Sequence, residues 1–192
     1  MFRSINKYDE CVNNLVELLK KINSPLVCLP ECLIDKVHYF KDYKFYNAKT
    51  ENYKNNDCLT LLYKDINVQK IFEKKLPNTL KTLRKMIYLK TSEYTFIFTH
   101  LEVKDGSRIE QLKFILKYNP DFIVGDLNFK QNSEEYKFLL NDGFKTFNSK
   151  LKTTPFGITV DYIWFKKDKN FIQTIIPYPY SDHRGVLLSL KV

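Results

Sequence analysis

The residues best suited to chemistry in this chain stand where apolar runs stop. Glu31 closes Leu26-Val27-Cys28-Leu29-Pro30, and a carboxylate at the end of a buried strand suits a hard cation, which takes oxygen donors. His100 ends Tyr94-Thr95-Phe96-Ile97-Phe98-Thr99 and by alternation shares a face with Phe96 and Phe98; it is a core residue or a catalyst depending on what it meets. Phe122-Ile123-Val124-Gly125 runs into Asp126-Leu127-Asn128. In an extended chain Asp126 and Asn128 project to one side and Leu127 to the other. A carboxylate beside a carboxamide orients a water and holds a phosphate oxygen; an ordinary turn after a strand is the alternative. Asp161 lies in an apolar stretch, 158–165, and needs a partner there because an unpaired buried charge is costly. A histidine is a natural one, and Ser181-Asp182-His183 stands just before Val186-Leu187-Leu188.

These positions require a scaffold of alternating strands and helices. Val12, Leu15, Val16, Leu19 and Ile22 fall at three- and four-residue steps and predict an amphipathic helix over 9–22, stopped by Ser24-Pro25. A short strand is expected at 2–6 and another at 26–29. Further strands are predicted near 43–47, 57–63, 66–76, 82–90, 94–101, 121–128, 158–166, 171–176 and 185–192. Helices are predicted over 107–117, with Ser107 as its cap, and over 133–140. Most strands follow other strands, which fits two packed, largely antiparallel sheets flanked by helices better than a doubly wound parallel sheet.

Composition narrows the partners. The chain has 192 residues, 44% of them hydrophobic, and no Pro/Gly/Ser-rich linker, so one domain spanning 1–192 is expected. A formal net charge of +9 suits a polyanion such as DNA, RNA or an anionic membrane surface, although abundant Lys alone produces the same number. Cys11, Cys28, Cys32 and Cys58 form no CxxC pair and have no histidine at zinc-ligand spacing, which argues for reduced thiols and against a structural zinc. Nothing at the start reads as a signal peptide and no apolar run approaches the ~20 residues that span a bilayer, so an intracellular protein, cytoplasmic or nuclear, is expected.

Taken in order, LPE (29–31), THLE (99–102), RIEQL (108–112), GDLN (125–128), DYI (161–163) and SDH (181–183) resemble the endonuclease/exonuclease/phosphatase family through essentially the whole chain. THLE followed by Arg-x-x-Gln-Leu-Lys, then GDLN, and SDH followed by Arg-Gly-Val-Leu are most similar to 5′-tyrosyl-DNA phosphodiesterases, as is the stretch from Lys75-Leu76-Pro77 through Arg84. The resemblance implies an α/β protein of α+β type, a four-layer α/β/β/α sandwich. It implies a magnesium-dependent phosphodiesterase, with manganese as a substitute ion, acting as a monomer on nucleic acid, DNA before RNA.

Carried onto this chain, the resemblance makes Glu31 and Asp182 metal ligands. Asp126 would orient or deprotonate the attacking water, assisted by Asn128, while His183, fixed by Asp161, would donate to the phosphate. His100 and Asn6 would complete the phosphate cradle. Arg108, on one helix face with Gln111, would lie near the substrate or serve a structural hydrogen-bonding role. Arg184 would touch substrate or stay solvated, and Tyr178 and Tyr180 would stack on substrate or pack the loop. Two other readings remain: a phosphatase for inositol phosphates or phosphoinositides, and a catalytically silent nucleic-acid-binding module. The chain departs from the family in having Pro30 where Gln is usual, GDLN where the tyrosyl group has GDTN, and only Asn6 to match the usual strand asparagine.

Overall fold

The computed structural model describes residues 5–49, 57–78, 83–104, 106–146, 152–166 and 171–190. In chain order the elements are helix α1 (Ile5–Ile22), β1 (Leu26–Leu33), a 3-10 helix (Ile34–Tyr39), β2 (Lys44–Lys49), β3 (Asp57–Tyr63), β4 (Val68–Lys75), β5 (Lys85–Thr91) and β6 (Thr95–His100). They continue with α2 (Arg108–Leu116), β7 (Phe122–Asp126), α3 (Glu134–Asn141), β8 (Asp161–Phe165), β9 (Phe171–Ile176) and β10 (Gly185–Leu190).

The strands form a three-stranded sheet ordered β1-β3-β2, a five-stranded sheet ordered β4-β5-β6-β7-β8, and an antiparallel β9–β10 pair. All of these pairings are antiparallel except β6–β7. A parallel pair needs a crossover, and α2 supplies it. Period-two alternation sorts the side chains into layers. Leu59 and Leu61 of β3 meet Ile87 and Leu89 of β5 and Phe98 of β6 between the two sheets. On its other face, β3 turns Leu62 toward Val12 and Leu19 of α1. Met86, Ile97, Ile123 and Trp164 turn outward from the five-stranded sheet onto Leu112 and Ile115 of α2 and Leu139 of α3. The order is therefore helix, sheet, sheet, helices: the predicted α/β/β/α sandwich.

Four local expectations change. Residues 5 and 6 belong to α1, so Asn6 sits in a helix and not in an opening strand; residues 2–4 lie outside the described set. β1 runs on to Leu33 through a register shift between Leu29 and Cys32, and Pro30, which cannot donate to a ladder, falls in that irregularity. Ser107 precedes α2 without a side-chain cap bond, its backbone already helical, whereas Ser133 does cap α3 by accepting from the Tyr136 N–H. β7 stops at Asp126, so the 121–128 segment is not extended throughout. No disulfide joins the four cysteines. Among the described residues no helix is long and apolar enough to cross a membrane.

One glycine is indispensable to the central pairing. Gly125 has φ +146°, and a Cβ built on it would lie 1.8 Å from the Thr99 carbonyl oxygen. Gly125→Ala must therefore push β6 and β7 apart, and a loss of about 3 kcal/mol or more in urea unfolding is expected. An unchanged midpoint would show that the close approach is not needed.

Candidate active site

The strand register assembles the site. Thr99 pairs with Gly125 and His100 with Asp126 across β6–β7, and Asp126 pairs with Asp161 across β7–β8. Three residues distant in sequence thus stand abreast at one end of the sheet. His100 and Asp126 share the faces of Phe98 and Val124, which pack between the sheets, and so point toward β1. There the β1 irregularity presents Glu31, with an oxygen 4.0 Å from His100 Nδ1. His100 Nε2 lies 3.5 Å from Asp126 Oδ2.

His183 arrives from the far end of the chain. Its Nδ1 lies 2.8 Å and 3.0 Å from the two Asp161 oxygens. The fully buried Thr153 holds this meeting in place: its hydroxyl accepts from the Val160 and Asp161 N–H groups, and its carbonyl accepts from the Arg184 N–H at 2.7 Å. The Ser181 hydroxyl accepts from the His183 N–H and shapes the turn. Asn128 has a left-handed backbone (φ 53°), so it does not follow Asp126 as an alternate strand residue. It is nonetheless coupled to Asp126, since its N–H donates to Asp126 Oδ1 at 3.0 Å while its Nδ2 donates to the Leu101 carbonyl.

Burial splits the proton affinities of these groups. The His100 imidazole is pushed down to about 3 by burial, reinforced by the Arg84 charge, so it is neutral at pH 7. Asp126 is pushed up to about 7 by burial, with the neighbouring Asp161 carboxylate adding to it. His183 is raised to about 9, first by its hydrogen bond to Asp161. Asp126, Asp161 and His183 offer ligand atoms all within 4.8 Å of one another. Asp161 is already engaged by His183, however, and a hard cation prefers oxygen donors. Glu31, whose side chain is 62% exposed, also raises Asp126 electrostatically. Carboxylates that disfavour one another's charge form a donor set suited to a divalent cation, which relieves the repulsion. Asp182 is exposed, and its charge adds to the field that raises His183.

Other sequence candidates are engaged in the fold. Arg108 is buried, pairs with Glu135 at 2.8 Å, and donates to the Val103 carbonyl. Gln111 accepts from the Glu102 N–H and donates to the Pro77 carbonyl, fastening the loop after β6. The Tyr178 hydroxyl donates to the Cys11 carbonyl, tying its loop to α1, and its ring lies 5.6 Å from that of Tyr180. Arg184 is exposed, with one guanidinium nitrogen 3.4 Å from the Lys152 carbonyl. The side chain of Asn6 lies outside the described residues.

Arg84 joins the site although the sequence offers for it only a place in a family-like stretch. Its residue is 8% exposed, and its Nε has no hydrogen-bond partner among the described residues. It stands close enough to His100 to lower that pKa. A buried cation with an open donor invites an anion. Composition hides it among 31 Lys and Arg residues; only its burial sets it apart.

No protein-family model and no curated protein matches this sequence. Solved structures do match in fold. An endonuclease/exonuclease/phosphatase family protein from Leptotrichia buccalis C-1013-b superposes with a TM-score of 0.77 at 12% identity, over 100% of this chain and 96% of that one. An endonuclease/exonuclease/phosphatase from Bacteroides vulgatus gives 0.72 at 16% identity, over 98% and 93%. D. rerio TDP2, in complex with a single-strand DNA product, gives 0.69 at 16% identity, over 93% and 90%. The fold is the one these proteins share.

Two measurements test the site as built. Arg108→Met leaves Glu135 buried without its partner and is expected to cost roughly 3–5 kcal/mol in urea unfolding. Adding Glu135→Leu should recover most of that loss, and no recovery would show the pair is not coupled. His183 has its pKa raised above the unfolded value of 6.5, so its stabilisation is complete below pH 6.5 and is lost as pH rises through about 9. An NMR titration should place the His183 midpoint near 9. Asp161→Asn should return it toward 6.5, and an unmoved midpoint would remove Asp161 as the cause.

Proposed function

We propose that this chain, whose fold is that of endonuclease/exonuclease/phosphatase proteins, is a divalent-metal-dependent phosphodiesterase acting on nucleic acid, with a 5′-phosphotyrosyl DNA end as its substrate. The observation that carries the reading is the row His100–Asp126–Asp161 at one end of the sheet, completed by His183 on Asp161. The motif order favours the tyrosyl substrate, the single-strand DNA product held by the similar D. rerio TDP2 favours DNA, and the net charge of +9 favours a polyanion.

In this reading water attacks phosphorus in line with the leaving oxygen. Asp126 accepts the water's proton. Burial makes it a stronger base than an ordinary carboxylate, and the Asn128 N–H holds its Oδ1 in position. His183, kept protonated by Asp161, donates from its free ring nitrogen to a phosphate oxygen as negative charge builds there. The neutral His100 steadies Asp126 and faces the same phosphate. Arg84 offers its open donor to the same anion. Glu31, close to His100, and Asp182, whose charge acts on His183, are both exposed and would hold Mg²⁺, or Mn²⁺ in its place. When bound, the ion supplies positive charge against the phosphate and leaving oxygens.

The test is release of tyrosine from an oligonucleotide bearing a 5′-phosphotyrosine, with Mg²⁺ and with chelator. Mg²⁺-dependent release is expected, reduced about 10²-fold or more in His183→Ala and in Asp126→Ala. The rate should fall as pH rises through about 9, where His183 loses its proton, and Asp161→Asn should move that limb to lower pH. Cleavage of only plain or abasic DNA would shift the substrate within the same chemistry. Turnover of inositol polyphosphates alone would replace nucleic acid, and no turnover of any of these would sink the enzyme assignment.

A further inference from the structure

Phe156 is 85% exposed, the most exposed large hydrophobic side chain among the described residues; Val103, next, is 63% exposed. Isolated surface hydrophobics are ordinary, so exposure alone carries little. The frame holding this ring is less ordinary. Thr154-Pro155-Phe156-Gly157 forms a tight turn closed by the Gly157 N–H donating to the Thr154 carbonyl at 3.2 Å. Pro155 occupies the turn position that suits its fixed φ, and Gly157 takes the positive φ of 73°. The Thr154 N–H and hydroxyl both donate to the Ile158 carbonyl, and the Thr154 hydroxyl accepts from the Ile158 N–H.

This braced turn is anchored to the site by the adjoining residue. Thr153 is bonded to the Asp161 N–H on one side and to the Arg184 N–H on the other. The backbone that carries the ring is therefore tied to the Asp161–His183 pair. Lys152 and Arg184, both exposed, flank the base of the turn, and the Arg184 guanidinium reaches the Lys152 carbonyl. An exposed aromatic on a braced turn with cations at its foot suits an unpaired nucleobase and its phosphates: the turn needs no ordering on binding, the ring stacks on the base and the cations hold the backbone.

We infer that Phe156 is a stacking platform for an unpaired base of the substrate strand, next to the phosphate that is cleaved. The inference deepens the nucleic-acid reading and rests on it. It makes the preferred substrate single-stranded or frayed at the site, since a base paired in a duplex cannot give its face to the ring.

The experiment reads binding without turnover. Single-stranded oligonucleotides carrying 2-aminopurine at successive positions are bound to the full chain in chelator. Quenching at one position near the bound end is expected, kept in Phe156→Trp and lost in Phe156→Ala. Affinity by anisotropy should fall roughly tenfold in Phe156→Ala. An abasic residue at the quenched position should abolish the difference between the wild-type and Phe156→Ala chains. Because the ring buries almost nothing, an unchanged unfolding midpoint in Phe156→Ala separates lost stacking from lost fold. Equal quenching and affinity in Phe156→Ala, or no strand binding by the wild-type chain, would overturn the platform. A wild-type chain that stacks a base yet hydrolyses no phosphodiester would leave the platform standing and overturn only the phosphodiesterase reading.

Discussion

The contact on which the rest of the structure depends is the approach of two parallel strands at Gly125 and Thr99. With no Cβ on Gly125, the β7 backbone comes against the Thr99 carbonyl, and the next residue on each strand, His100 and Asp126, is brought level. The antiparallel ladder to β8 then sets Asp161 beside Asp126. Side chains alternate along a strand, so a one-residue slip would turn the whole row to the opposite face. The two-sheet core enforces the register, because the same slip would carry Phe98 and Val124 out of the layer they fill. Packing and site geometry are one constraint.

That row concentrates groups which a stable fold would keep apart. Burial and a neighbouring carboxylate push Asp126 toward its neutral form, while His100 is buried uncharged. The Asp161–His183 bond compensates in part by placing positive charge beside them. Pairs of groups whose surroundings drive their proton affinities apart are what acid–base chemistry requires. The Arg84 nitrogen that has no partner among the described residues extends the same logic to the anion the cluster is proposed to hold. Each of these groups costs stability in a site without ligand, and the three hydrophobic layers offset that cost.

Much of what looks functional in the motifs is support. Gln111 fastens the loop that follows His100, and Arg108 couples that loop to α3 through Glu135. Asn128 ties the turn after Asp126 to Leu101. Thr153 joins the start of β8 to the segment carrying His183. None of these bonds is strong alone, but together they fix the segments that carry the site, and the proposed in-line chemistry requires positions held to a fraction of an ångström.

The sequence by itself determined the local order of this protein. Helical spacing marked α1 and α2, a Ser-Glu-Glu opening marked α3, β-branched and aromatic runs marked the strands, and the chemical residues stood at the ends of apolar runs or within them, where His100, Asp126 and Asp161 are found. These signals are readable because they arise between residues close in the chain, where period alone reports the buried face. What only the tertiary structure decided depends on partners far away in sequence. The β1 irregularity at Pro30 and Glu31 arises in pairing with β3, and the left-handed Asn128 is held by Leu101. Asn6 belongs to a helix whose apolar face had to find β3 before its extent was set. Arg84 is distinguished by burial, and Thr153, which ties the start of β8 to the segment carrying His183, is found only in the assembled fold. Burial and register are properties of the assembled layers, so no window of the chain contains them.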